Sequence, residues 1–277
     1  MSDETPPTTE ADDAKALVAQ VFSDSADTYD QVIDFFAPFG RALVEGAELA
    51  SGAQVLDVAS GRGACLYPAL EAVGPDGFVT GIDIAPGMVE ALGAELAAKG
   101  IANAEVRVGD AEALEFADAS FDAVLGGFMI FFCPDPDRVL AEFARVLKPG
   151  GVVALTIFDG DTPSKFLRDV GAEIFGGQEE PRASQAFDKA DVLDPALVAA
   201  GFDQPVGTDV NERFRFESAD QMERWHRSHF ARLLLDALDE DQLGIYRRRM
   251  DEHLEDLRDG DAFVLPQRAR VTTAHKP

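Results

Sequence analysis

The stretch from Val55 to Asp83, reading VLDVASGRGACLYPALEAVGPDGFVTGID, constrains this chain more than any other. A short apolar run, Val55-Leu56-Asp57-Val58, ends in a small-residue turn, Ala59-Ser60-Gly61-Arg62-Gly63, and an apolar-periodic segment follows to Val73. That order predicts a buried strand, a tight turn and a helix. Gly61 and Gly63 permit φ > 0 and let a ligand approach the main chain where a Cβ would block it. The helix start behind them offers unpaired N–H groups. A second apolar run, Phe78 to Ile82, stops on Asp83. Its carboxylate then stands at the carboxyl end of a strand, where open α/β sheets bind ligands, and it can accept from both hydroxyls of a ribose. Together these features predict a nucleoside-bearing cofactor.

The departures from the dinucleotide pattern bear on which cofactor. A pyrophosphate binder places a third small residue where Leu66 stands, to let the helix pack closely on the strand. Asp83 lies 20 residues after Gly63, so spacing alone leaves a nicotinamide dinucleotide open. Asp57 is a charge inside the first strand, a place explained if it orders the glycine turn or faces a cation. Gly109-Asp110-Ala111-Glu112, after a third strand, is placed to address an adenine amino group.

At 277 residues the chain has room for one large domain, or one domain with an inserted cap. The formal net charge of −27 repels nucleic acid and anionic membrane surfaces, so neither is expected as a partner. A general acidic bias accounts for that charge better than a cationic substrate does. Cys65 and Cys133 give no disulfide framework and no metal-ligand spacing, which fits a cytoplasmic protein without a bound metal. No stretch approaches the ~18 consecutive apolar residues of a membrane span. Residues 1–10 are polar and acidic, a disordered tail rather than a signal peptide.

Strands are expected near 55–58, 78–82, 104–108, 123–126 and 151–158, and helices near 11–22, 32–44, 64–73, 87–99, 135–146, 164–175 and 191–200. Such alternation means a mainly parallel sheet covered on both faces. Lys148-Pro149-Gly150-Gly151 reads as a turn feeding the fifth strand. Residues 205–210 with 213–216 read as one bent strand, 262–273 as a last strand, and 218–258 between them as a helical insertion. Its charges over 239–259 alternate at helical spacing, the pattern of a solvated face. The histidines are His226, His229, His253 and His275. His226 and His229 are three apart on an expected helix and share a face, which makes them the candidates for a general base.

VLDVASGRG, GIDIAPGMV, VGDAEALEF, FDAVLGGFMIFFCPDP and LKPGG, in that order and at these spacings, resemble the class I S-adenosylmethionine-dependent methyltransferases. Within them the chain is most similar to the ubiquinone/menaquinone C-methyltransferase group and related small-molecule methyltransferases, over roughly residues 29–159. The resemblance implies a Rossmann-like, doubly wound, mainly parallel seven-stranded sheet whose antiparallel final strand slots between the fifth and sixth. It implies an N-terminal helical lid over 11–50, a cofactor domain over 51–217 and 261–277, and a helical cap over 218–260.

The resemblance also implies S-adenosylmethionine as cofactor. Tyr29, Ala59, Ser60 and Gly61 would then meet its methionine end, and Asp83 its ribose. Ile84 and Met88 would pack on the adenine, Asp110 and Ala111 would contact the adenine edge, and Gly127 and Phe128 would stand near the sulfonium. Two positions depart from the family. Ala59 replaces a usual glycine, which is tolerated if its φ is negative. Phe131 and Phe132 stand where histidines are common, so the pocket reads as drier. The function so implied is methyl transfer to a small aromatic or partly apolar molecule of secondary-metabolite type, at carbon, nitrogen or oxygen. An NAD-dependent oxidoreductase and a non-catalytic S-adenosylmethionine-binding protein are the rivals.

Overall fold

The computed structural model describes residues 9–159, 163–177 and 183–277. The chain alternates strands and helices: α1 (Glu10–Ser25), α2 (Ala37–Gly46), β1 (Gln54–Val58), α3 (Leu66–Val73), β2 (Phe78–Asp83), α4 (Pro86–Ala98), β3 (Ala104–Val108), β4 (Phe121–Gly127), α5 (Pro136–Val146) and β5 (Leu147–Phe158). Beyond these come α6 (Pro163–Phe175), α7 (Ala190–Ala199), β6 (Val206–Phe216), α8 (Ala219–Arg227), α9 (Arg232–Asp236), α10 (Glu240–Asp256), β7 (Arg258–Asp259) and β8 (Ala262–His275). The sheet runs β3-β2-β1-β4-β5-β8-β6, with the two-residue β7 paired to β8 off that path. Strands β1 to β5 are parallel, and β8 is antiparallel to both β5 and β6.

Alternate side chains along each strand enter different cores. Val55, Val152 and Ala154 pack against α2, α3 and α4 through Leu43, Leu66 and Leu92. Leu56, Val58, Val153 and Leu155 face the other way, onto α5 and α7 through Leu140, Phe143, Leu193 and Leu197. The sheet is therefore dry on both faces, as a parallel sheet requires.

A third core sits beyond the carboxyl ends of the strands. Residues 264–268 of β8 pair only with β6 and lie past the end of β5, where Phe158 meets Ala269. This two-stranded ribbon carries α8, α9 and α10, which pack Trp225, Tyr246, Met250 and Leu254 onto Phe214, Phe216, Phe35 and Phe39.

The strand expected over 205–216 is present as one strand, Val206–Phe216. Three expectations need correction. The second helix starts at Ala37, not at residue 32, because Pro38 sits in its first turn, where a missing N–H is no loss. The Lys148–Gly151 segment is not a separate turn: β5 already begins at Leu147 and absorbs the segment as a register shift against β4. Finally, α10 is not simply a solvated face, since Tyr246, Met250 and Leu254 form a buried stripe at i, i+4, i+8. Of the tail expected over 1–10, residues 1–8 lie outside the described residues.

The small residue that lets helix and strand approach lies on the strand here. Leu66 is fully buried, and a Cβ on Gly81 of β2 would stand 3.1 Å from its Cδ1, 2.9 Å from Val106 Cγ1 and 3.0 Å from Ser60 Oγ. Gly81→Ala should therefore destabilise the fold by about 1–3 kcal/mol through overpacking. Urea denaturation measures this, and an unchanged midpoint would show that the contact has slack.

Candidate active site

Every residue singled out on the glycine turn and the strand tips lies at the carboxyl end of β1, β2, β3 or β4. The turn is anchored to β2 twice: the Ser60 N–H donates to the Ile82 carbonyl at 2.9 Å, and the Gly61 N–H donates to Asp83 Oδ2 at 2.9 Å. Asp83 Oδ1 accepts from the Ala85 N–H at 2.9 Å. One acceptor position on each carboxylate oxygen is thereby used, and a second on each is left for a ligand.

Ala59 has φ 56, followed by Gly61 at φ 50 and Gly63 at φ 88. The expectation of a negative φ at Ala59 is thus overturned. The turn keeps the left-handed shape that a glycine would take, and Ala59 holds it at a cost of about 1–2 kcal/mol. Phe128, at φ 53, carries the same kind of strain at the end of β4.

Met88 packs with Ala85 and Ala26, and Tyr29 borders that cluster, while Ile84 is half-buried at the start of the same loop. The Tyr29 ring stacks on Phe36 at 5.3 Å. Its phenol is pushed well up by burial, and then by the charges of Asp30 and Asp83. Asp110 and Ala111 follow β3, beside a cavity of about 160 Å³ that Gly109, Asp110 and Phe116 help to line. A larger cavity of about 320 Å³, lined by Tyr29, Asp30, Arg41, Arg62 and Tyr67, opens on the other side of the glycine turn.

Three residues that hold α1 over these strand ends escaped the sequence reading. Lys15 pairs with Asp110 at 2.7 Å and with Glu112 at 2.6 Å. Arg62 donates to the Ala26 carbonyl at 2.5 Å. The Gly87 N–H donates to Ser23 Oγ at 3.2 Å, and a Cβ on Gly87 would press to 2.7 Å from the Ser23 carbonyl oxygen. One signal was available in the sequence: Lys15 is the only basic residue among the first 40.

Beyond β4 and β5 the site is walled by aromatic rings. Phe128 lies 4.4 Å from Phe158, 5.3 Å from Phe39 and 5.6 Å from Phe36. The two histidines differ in their surroundings. His226 is 2% exposed and its Nδ1 shares a 2.9 Å hydrogen bond with the Tyr246 hydroxyl. Burial, then His229 and His253, push its imidazole well below the ordinary range. His229 is only half-buried, yet desolvation lowers it to about 4. Its ring packs edge-to-face against Trp225 at 4.8 Å. His253 stacks on Phe166, away from the strand tips, and His275 is exposed at the end of β8.

A family model described as a methyltransferase domain matches residues 55–151. The nocamycin O-methyltransferase of Saccharothrix syringae is 34% identical over 241 residues, covering 80% of this chain and 85% of that enzyme. The chain belongs to the S-adenosylmethionine-dependent methyltransferases. The aklanonic acid methyltransferase of Streptomyces sp. (strain C5) is 46% identical over 143 residues, which cover 51% of this chain and 65% of that enzyme's length. A phosphoethanolamine N-methyltransferase of Haemonchus contortus shares the fold, at a TM-score of 0.61 and 17% identity over 98% of this chain and 61% of its own.

The cofactor of this methyltransferase family suits the electrostatics of the strand tips. Asp57 is 1% exposed, and its Oδ2, like Ser60 Oγ, is buried without a partner. Desolvation first, then the charge of Asp83, raise Asp57 to about 8, which the Leu66 N–H only partly offsets. Asp83 is raised by burial and eased back by the N–H groups of Ala85, Gly61 and Ile84 rather than by a cation. A ligand with a sulfonium and an ammonium brings the positive charge that these carboxylates lack, and ribose hydroxyls fit the open positions on Asp83.

The pH dependence has a definite sign. Between an ordinary carboxylate pKa and about 8, the unfolded chain ionises Asp57 while the folded one keeps its proton, so stability falls as pH rises through that window. Asp57→Asn removes this slope, up to about 1.4 kcal/mol per pH unit. In urea denaturation the variant's advantage over wild type should grow from pH 5 to pH 8 and then level off. A constant difference would place the proton elsewhere.

Proposed function

We propose that this methyltransferase forms a methyl ester or ether on an oxygen of a small aromatic acid, with an ionised carboxylate as the preferred acceptor. The observation that carries the reading is the lack of a strongly basic imidazole at the aromatic wall among the described residues: desolvation lowers His229 to about 4, and burial pushes His226, whose Nδ1 is engaged by Tyr246, well below its ordinary range. A base so weak gains little by taking a proton at neutral pH, so the acceptor has to arrive already ionised. The names of the two relatives point the same way, since one methylates an acid and the other an oxygen.

When bound, S-adenosylmethionine supplies an electrophilic methyl group on a cationic sulfur that leaves as a neutral thioether. Ala59, Ser60, Gly61 and Tyr29 hold its methionine end, Asp83 its ribose, Ile84 and Met88 the faces of its adenine, and Asp110 and Ala111 the adenine edge. Gly127 and Phe128 then border the sulfur. The rings of Phe36, Phe128 and Phe158 keep water from the meeting point, and a dry medium favours a step in which opposite charges cancel. His229 and His226 act as neutral hydrogen-bonding groups that orient the acceptor. In this reading α1 is the lid of the cofactor site and the α8–α10 insertion its cap over the acceptor.

Transfer of labelled methyl to a panel of aromatic acids, with matched phenols and amides, tests the proposal. The acids should be methylated, with kcat/KM flat from pH 6 to 9 and falling only near the acid's own pKa. Preference for phenols, with a rate that climbs with pH, would overturn it. His229→Gln should cost less than the ~10²–10⁴ expected when a general base is removed. For the cofactor, Asp83→Ala should weaken binding at least tenfold, about 1.4 kcal/mol, and an unchanged dissociation constant in calorimetry would remove the ribose assignment.

A further inference from the structure

Three aromatic rings from distant parts of the chain meet where α1 reaches the cap. Phe22 of α1 lies 5.5 Å from Phe132, in the turn after β4, and 6.1 Å from Phe230, in the segment between α8 and α9. Phe132 and Phe230 close the triangle at 5.0 Å. All three rings are half-buried. Across the same junction Arg232 Nη1 donates to the Asp24 carbonyl at 2.7 Å.

We propose that Phe22, Phe132 and Phe230 form a gate to the acceptor site, latched by Arg232, and that this gate sets the size and flatness of the acceptor admitted. The inference rests on reading the aromatic wall as the acceptor site.

The side that moves follows from the anchors. The α1 end is fixed to the α/β body by Lys15 with Asp110 and Glu112, by Ser23 with Gly87, and by Arg62 with the Ala26 carbonyl. The segment carrying Phe230 meets α1 through its ring contacts and the Arg232 hydrogen bond. Arg232 keeps a second partner, Asp236 at 2.8 Å, when it lets go of Asp24. Opening therefore falls to the cap side, while the cofactor site stays roofed.

Phe22 and Phe230 are tilted 33° to each other at 6.1 Å, and Phe132 lies 5.5 and 5.0 Å from them. Three rings this close leave no gap for an aromatic acid, so the rings have to part, and a wide fused system requires more of them to part than a single ring does.

The test uses the full chain and three carboxylates of rising ring number: benzoate, 2-naphthoate and anthraquinone-2-carboxylate. Trp225 is the only tryptophan, lies 2% exposed in the wall and touches His229, so its quenching reports occupancy without turnover. In stopped flow, Phe230→Ala and Arg232→Gln should speed both association and dissociation of the anthraquinone about tenfold. Benzoate rates should shift less than about twofold, and Phe230→Tyr should restore the slow rates. Equal acceleration of all three probes, unchanged rates for the largest, or no quenching in any protein each overturns the gate. Label transfer to the same probes is scored separately. Gated rates without transfer would sink the proposed reaction and leave the gate standing, and transfer with ungated rates would do the reverse.

Discussion

Two carboxylates taken out of water at neighbouring strand tips are the constraint on which the rest of this molecule turns. Asp57 stands one residue before the end of β1 and Asp83 ends the adjacent parallel β2, and neither is eased by a basic side chain among the described residues. A fold that only had to be stable would not keep them there, since burying an unpaired charge costs several kcal/mol or forces protonation. The arrangement makes sense as a receptor for a cation that arrives with the ligand. It also explains why the glycine turn is tied down by Asp83 itself. Asp83, proposed to receive the ribose, also fixes the Gly61 N–H, so on that reading one group orders both the turn and the ligand.

From that point the molecule is graded in polarity. Charged and hydrogen-bonding groups gather over β1 to β3, where α1 is fastened by Lys15, Ser23 and Arg62. Aromatic rings gather over β4 and β5. Of the 20 phenylalanines, those around Phe128 bind the ribbon, the cap and α2 into one cluster, whereas the two aliphatic cores under the sheet hold few rings. A cation lies comfortably at the first end and a planar apolar molecule at the second. The two meet at the strained backbone of Phe128, which commits its N–H to the Thr156 carbonyl at 3.0 Å and leaves its ring free to pack.

How much of this was readable from the residues depends on whether the cause was local. The strands at 104–108 and 78–82 and the bend at 59–63 follow from periodicity and from small residues, and the structure has them within a residue or so. The position of the proposed site residues at the tips of β1 to β4 was legible for the same reason, because strand tips and glycine turns are written in consecutive letters. The start of α2 was not, since Phe35 and Phe36 look helical until their rings are seen to serve Tyr29, Trp225 and Phe128. The stripe Tyr246, Met250, Leu254 was hidden by the charges around it. Ala59 misled because φ > 0 is disfavoured for alanine, yet the hydrogen bonds of its neighbours impose the conformation regardless.

The histidines show the limit most clearly. In sequence they are equivalent, three residues apart on one helix, and either could serve as a base. Packing separates them: Tyr246 claims the Nδ1 of the buried His226, while His229 is half-buried beside Trp225. Burial then lowers both, so the dryness that would help an ionised acceptor react also disarms the residues that could have ionised a neutral one. A pocket cannot be apolar enough to favour the loss of opposite charges and still hold a strong imidazole base without a carboxylate beside it, and neither imidazole is raised by one here. On the proposed reading the choice of acceptor follows from the wall rather than from any single catalytic side chain, and substitutions that let water reach Phe128 and Phe158 would alter the chemistry more than the loss of either histidine.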